Sequence, residues 1–165
     1  MCIRDRGQIG TIELKGENIF KGYWGMEEKT KESFKDDGFF ITGDLAKKDE
    51  NGYFTIVGRD KDMIISGGLN VYPKEIEDVI NELPNITESA VFGVQHDDFG
   101  EAVVAAVVTT DDKNDGSQIL DYTKDKIAKY KQPKKIIFMS NLPRNSMGKV
   151  QKNKLRENNK SLFKS

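Results

Sequence analysis

Residues 63–83 read MIISGGLNVYPKEIEDVINEL. Two short apolar runs, Met63 to Ser66 and Leu69 to Tyr72, flank Gly67-Gly68, which is the pattern of a β-hairpin closed by a tight turn. Pro73 suits the first position of a helix, where its missing N–H costs nothing. Behind it Ile76, Val79, Ile80 and Leu83 fall at i, i+3, i+4 and i+7, one apolar face of a helix that Pro84-Asn85 stops. A hairpin leading into a one-faced helix needs more sheet to pack against, and the flanking sequence has to supply it.

Downstream, Glu88 to Val94 and Ala102 to Thr109 are rich in β-branched residues and read as strands separated by the polar loop Gln95 to Glu101. Gly116-Ser117 opens a second helix to about Tyr130, with Ile119, Leu120, Tyr122, Ile127 and Tyr130 as its apolar positions. Ile136 to Met139 is a further strand and Val150 to Asn158 a weak last helix. Residues 62–165 thus read as a small α+β domain, a sheet with about three helices, complete enough to fold by itself.

Upstream the texture differs. Ile9 to Leu14 alternates as a short strand, Met26 to Phe34 has weak helical character, and strand-like pieces follow at Gly38 to Thr42, Asp44 to Lys47 and Tyr53 to Val57. So many short strands around so few large apolar residues predict the β-rich end of a larger domain. The division expected is 1–60 and 61–165, with the charged run Arg59 to Asp62 as the joint. The first six residues, MCIRDR, are read as foreign to the fold.

The 165 residues are 36% hydrophobic and 32% charged, with 26 basic and 27 acidic side chains and a formal charge of −1. No apolar run approaches the roughly 18 residues of a membrane span, and no global field would draw the chain to nucleic acid or anionic lipid. Any bound anion must be held by local geometry. Cys2 is the single cysteine and His96 the single histidine, so no metal-ligand spacing exists, and the cytosol is the expected compartment. No Ser-His-Asp set or GxxxxGK[ST] loop occurs. His96 reads as a loop residue.

Three ordered stretches carry more: GTIELKGENIFKGYW (10–24), FFITGDLAKKDENGYFTIVGRDKDMIISGGLNVYPKEIE (39–77) and LPRNSMGKVQK (142–152). Through them residues 7–160 resemble the C-terminal portion of the adenylate-forming acyl-CoA synthetases of the AMP-binding superfamily, and through FKGYW, DDGFFITGDL, SGGLNVYPKEIE, YKQPKKIIF and LPRNSMGKVQKNKLRE they resemble the malonyl-CoA-forming subgroup within it. The resemblance implies an acid–CoA ligase. A carboxylic acid attacks the α-phosphate of ATP, giving acyl-adenylate and pyrophosphate, and the thiol of coenzyme A then displaces AMP.

It implies roles residue by residue. Asp44 accepts hydrogen bonds from the ribose hydroxyls of the nucleotide, and Arg59 reaches its ribose and phosphate side with a planar fork of donors. Lys61 falls on a hinge. Ser66, Gly67 and Gly68 line the tunnel for the pantetheine arm, where missing Cβ atoms admit a thin ligand. Lys149 is the catalytic lysine of adenylation, a compact ammonium set where negative charge develops. Pro73, Glu75 and Glu77 are assigned to helix structure. Lys131, Lys134 and Lys135 form a basic cluster with two open readings, contact with the phosphates of coenzyme A or solubility of a strand edge.

The family's phosphate loop, acid pocket and Mg²⁺ ligand match nothing in this sequence. The expectation is therefore a piece of a ligase, inactive alone, whose partners are ATP, coenzyme A, a small carboxylic acid (malonate favoured) and a missing large domain. A non-catalytic binding or regulatory module with the same lid fold is the rival reading.

Overall fold

The computed structural model describes residues 8–110 and 115–164; Cys2 and the opening MCIRDR lie outside them. The chain forms two compact units that divide between Lys61 and Asp62.

The first unit is a three-stranded antiparallel sheet of β1 (Ile9–Leu14), β2 (Phe40–Lys48) and β3 (Phe54–Arg59) in that order, with helix α1 (Glu27–Ser33) between β1 and β2. The two pieces expected at 38–42 and 44–47 are one strand. Gly43, at φ +72°, adopts a conformation only glycine takes cheaply, so the strand bends without ending. Among the unit's described residues only Leu45 and Ala46 are buried. Phe20, Tyr23, Phe34 and Phe40 form a ring cluster, with Phe20 edge-on to the other three at centroid distances of 5.0 to 5.7 Å, which is the geometry the ring quadrupole favours.

The second unit is a mixed α+β domain. The hairpin of β4 (Ile64–Ser66) and β5 (Leu69–Val71) leads into α2 (Pro73–Ile80), with Pro73 at the helix start. Strands β6 (Ile86–His96) and β7 (Gly100–Thr109) form a long antiparallel pair, β8 (Lys135–Phe138) runs parallel to β7, and the helices α3 (Ser117–Lys124) and α4 (Lys152–Asn158) complete the unit. The sheet order is β5-β4-β7-β6, with β8 also on β7.

Successive strand residues point to opposite faces, and here both faces are covered. Val91, Val103, Ala105 and Val107 face Ile76 and Ile80 of α2 and Ile119 of α3. Phe92, Val104 and Ala106 face Leu142 and Leu155, the latter on α4. This two-sided burial is why β6 and β7 carry apolar residues at consecutive positions.

Three boundaries differ from expectation. Helix α2 ends at Ile80 rather than Leu83, because the chain turns at Asn81, yet Leu83 still packs on the core. The helix expected over 116–130 stops at Lys124. The N–H groups of Lys126 and Ile127 both fold back on the Thr123 carbonyl, and a single 3₁₀ turn at Lys129–Lys131 follows. The loop expected at 95–101 shrinks to Asp97, Asp98 and Phe99, since pairing of β6 with β7 persists to His96 and Gly100.

Past the end of α2, Glu82 accepts a hydrogen bond from Tyr122 Oη at 2.8 Å and pairs with Lys126 Nζ. The Lys126 contact, then the Tyr122 hydroxyl, hold its carboxyl below the ordinary glutamate range. A depressed folded pKa gives stability that is present above the unfolded value and lost as pH falls through the folded one. Glu82→Gln is therefore expected to lower the melting temperature at pH 7, with the difference closing as the pH is taken below about 4. Circular dichroism melts across that range measure it, and a pH-independent difference would exclude the ionic origin.

Candidate functional site

Asp44 and Arg59 are direct partners across β2 and β3. Arg59 Nε lies 2.8 Å from Asp44 Oδ1, with the side chains 49% and 25% exposed. The local chain prepares this. Thr42 Oγ1 donates to the Ile12 carbonyl at 2.9 Å and accepts the Asp44 N–H at 3.0 Å, while the positive φ of Gly43 carries the backbone between them. A fixed carboxylate beside a guanidinium offers an acceptor and a set of donors to one ligand, which suits a vicinal diol attached to a phosphate.

Lys61 occupies a 3₁₀ turn, Asp60–Asp62, exposed, at the division between the units. Its neighbour Asp62 is held by Arg156 of α4, Nη2 to Oδ1 at 3.1 Å, so the second unit grips the chain immediately after Lys61.

Ser66 is buried at 4% exposure, and Gly67 and Gly68 make the two-residue turn joining β4 to β5. Both glycines have positive φ, +58° and +78°, as a type I′ turn requires. The Gly67 N–H donates to the Phe99 carbonyl at 2.8 Å, and Ser66 pairs with Gly100, which fastens the turn to the start of β7. A Cβ added at either glycine would meet nothing within 4 Å, so the space over the turn is open. Gly67→Ala should cost about 1–2 kcal/mol from the left-handed backbone alone, read from the urea midpoint. A loss near zero would mean the turn relaxes to another type.

Lys149 sits on an exposed loop before α4. Asn145 to Lys149 is a closed turn, in which the Gly148 N–H donates to the Asn145 carbonyl at 2.9 Å and the Asn145 N–H to the Lys149 carbonyl at 3.0 Å. Gly148, at φ +76°, is the residue that permits the reversal. Arg144 at the base of the loop pairs with Glu88 on β6.

Asp44 and Arg59 are thus brought together, but the glycine turn and the Lys149 loop are not. The loop is tied to Glu88 and the turn to Gly100, which pairs with His96. Glu88 and His96 are eight residues apart on one strand, about 27 Å at 3.4 Å per residue. The second unit presents its two candidate elements at opposite ends.

Arg144, Asn145 and Glu88 went unsingled in the sequence. Asn at the first position of a turn that ends on glycine is a readable signal; the Glu88 contact, 56 residues away, has none. The basic cluster is in part structural: Lys131 pairs with Glu75 at 2.7 Å and Lys134 lies over the Phe99 ring at 5.1 Å. His96 packs its ring on Phe99 and Phe163. Among the described residues no group of three His, Cys, Asp or Glu could hold a metal, and no helix is long and apolar enough to cross a membrane.

Residues 75–149 match the AMP-binding enzyme C-terminal domain. The chain is 44% identical over 155 residues to the long-chain-fatty-acid–CoA ligase FadD13 of Mycobacterium tuberculosis, covering 94% of this chain and 30% of that one. It is 38% identical over 165 residues to the malonate–CoA ligase of Arabidopsis thaliana, covering 93% and 27%. Its fold superposes on the ATP-bound MatB from Rhodopseudomonas palustris with a TM-score of 0.90 at 58% identity, over 97% of this chain and 32% of that one. The chain therefore spans about 30% of the length of the ligases it matches. The second unit, through residues 75–149, thus matches the C-terminal domain of AMP-binding enzymes in sequence and in its small α+β fold.

Proposed function

We propose that this chain supplies the C-terminal portion of an ATP-dependent acid–CoA ligase, with malonate the favoured acid. The observation that carries the reading is the Asp44–Arg59 pair. Two residues fifteen positions apart meet at 2.8 Å across a strand pair and stay accessible, a disposition suited to a nucleotide's ribose and phosphate.

In this reading Asp44 accepts from the ribose hydroxyls and Arg59 donates to the same nucleotide. The acid's carboxylate attacks the α-phosphorus, the bond to the β-phosphate oxygen breaks, and pyrophosphate leaves. Lys149 sets its ammonium against the charge gathering on the α-phosphate and the attacking carboxylate. Coenzyme A then enters along Ser66, Gly67 and Gly68. Its thiol loses a proton and displaces AMP from the acyl carbon, and Lys61 is the pivot between the two steps. The separation of the glycine turn from the Lys149 loop supports a sequential use of the two. Mg²⁺ accompanies ATP in such reactions, and among the described residues no group of three His, Cys, Asp or Glu could hold it.

Malonate rests on the motif resemblance and on identity to the Arabidopsis malonate–CoA ligase, while the higher identity to a long-chain ligase favours no single acid. The test is to fuse the chain to the large domain of the Rhodopseudomonas palustris MatB and follow pyrophosphate release with malonate. Release that depends on malonate and falls with Asp44→Ala is expected. Absence of release with any acid in a panel of malonate, long-chain and aromatic acids would overturn the reading.

A further inference from the structure

The Lys149 loop is closed on itself by a set of hydrogen bonds centred on Asn145 and Arg144. Asn145 Oδ1 accepts the Met147 N–H at 3.0 Å and the Lys149 N–H at 2.9 Å. The Asn145 backbone closes the same turn twice more, donating to the Lys149 carbonyl and accepting the Gly148 N–H. Arg144 Nη1 donates to the Gly148 carbonyl at 2.6 Å, while its Nη2 pairs with Glu88 on β6. Below that, Arg144 and Val150 form an antiparallel bridge and the Gln151 N–H donates to the Pro143 carbonyl at 2.7 Å.

In contrast, the Lys149 side chain enters no ion pair with any described residue. The loop is exposed, and the buried anchors on either side are Leu142 and Leu155, so these polar contacts are not what holds the core. They fix where the backbone of Lys149 stands and in which direction its side chain leaves.

We infer that Asn145 and Arg144 are positioning residues for Lys149: Asn145 sets the turn, and Arg144 welds that turn to the sheet through Glu88. The inference rests on the proposed role of Lys149 in adenylation. A lysine side chain is long and flexible, and a displacement of about 1 Å at a reacting centre can cost on the order of 10²-fold in rate. The forked guanidinium matters at residue 144 because two partners in different directions, Gly148 O and Glu88, are met by one side chain.

The experiment uses the full chain fused to the MatB large domain, as wild type, Asn145→Ala, Asn145→Asp, Arg144→Gln and Lys149→Ala. Amide hydrogen exchange at Gly148 and Lys149 reads the turn itself. Malonate-dependent pyrophosphate release reads adenylation, and conversion of preformed acyl-adenylate to thioester reads the second step. Asn145→Ala and Arg144→Gln are expected to speed exchange at Lys149 and lower kcat for adenylation by about tenfold to a hundredfold. The KM for ATP and the thioester step should hold, and Asn145→Asp, which keeps the acceptor oxygen, should recover most of the loss. Faster exchange with an unchanged adenylation rate would overturn the inference, as would equal loss in both half-reactions. Wild-type adenylation in Lys149→Ala is a different failure. It would remove the role of Lys149, and the inference with it.

Discussion

Lys149→Ala, in the chain fused to a large domain, should slow formation of acyl-adenylate by about 10² to 10³ while conversion of preformed acyl-adenylate to thioester continues. The reason is where charge appears. In the first step two anionic groups, a carboxylate and an α-phosphate, are forced together, and an ammonium between them stabilises what the reaction develops. In the second step the leaving AMP takes the charge away, and the chain element proposed to act is the turn at Ser66, Gly67 and Gly68. That turn is fastened at Gly100 and the Lys149 loop at Glu88, about 27 Å apart along β6, so one substitution should not reach both. The exposed position of Lys149 also predicts an unchanged melting temperature. Rapid-quench assays of each half-reaction decide the matter; equal loss in both would refute the separation.

Phe92→Ala should destabilise the second unit by about 3–5 kcal/mol, a large share of the 5–15 kcal/mol typical of a domain. The ring is completely buried on β6, and its surroundings include the small side chains Ala90 and Ala106 as well as Val104, Leu142 and Leu155. Alanine neighbours cannot expand to refill the space, and the ten-residue pairing register of β6 with β7 keeps the strands from closing over it. Far-UV circular dichroism in urea is the probe, because the sole tryptophan, Trp24, lies in the other unit. Phe92→Leu, which keeps most of the volume, should cost under about 1.5 kcal/mol. Since Leu142 and Leu155 bracket the Lys149 loop and pack on this face, Phe92→Ala is also expected to weaken adenylation in the fused enzyme. A destabilisation below 1 kcal/mol would mean that the site collapses around the missing ring.

Local signals carried most of the elements. Gly67-Gly68 marked the hairpin because only a positive φ at both central positions closes such a turn, and Pro73 marked a helix start. The i, i+3, i+4 recurrence of Ile76, Val79 and Ile80 marked the face that α2 buries. Where the reading missed, the deciding contact was distant or subtle. Gly43 looked like a break between strands, and pairing with β1 and β3 makes it a bend within one. Ile127 and Tyr130 sat in helical phase with Ile119, but the chain turns on Thr123 and leaves the helix early. At the candidate site, the residues matching family motifs stood out singly as candidates, whereas Arg144 and Glu88 did not, since their pairing spans 56 positions.

By itself, the amino-acid sequence determined the α+β class and the order of the elements, and it offered Asp44, Arg59, Lys61, Ser66, Gly67, Gly68 and Lys149 as candidates. These depend on torsional preference, periodicity and motif, which act over a few residues at a time. Only the tertiary structure decided that Arg59 meets Asp44, that both faces of β6 and β7 are covered, and that the glycine turn and the Lys149 loop stand at opposite ends of one unit. Strand register and side-chain pairing are set by the burial of residues far apart in the chain, and that burial exists only once the sheet has formed.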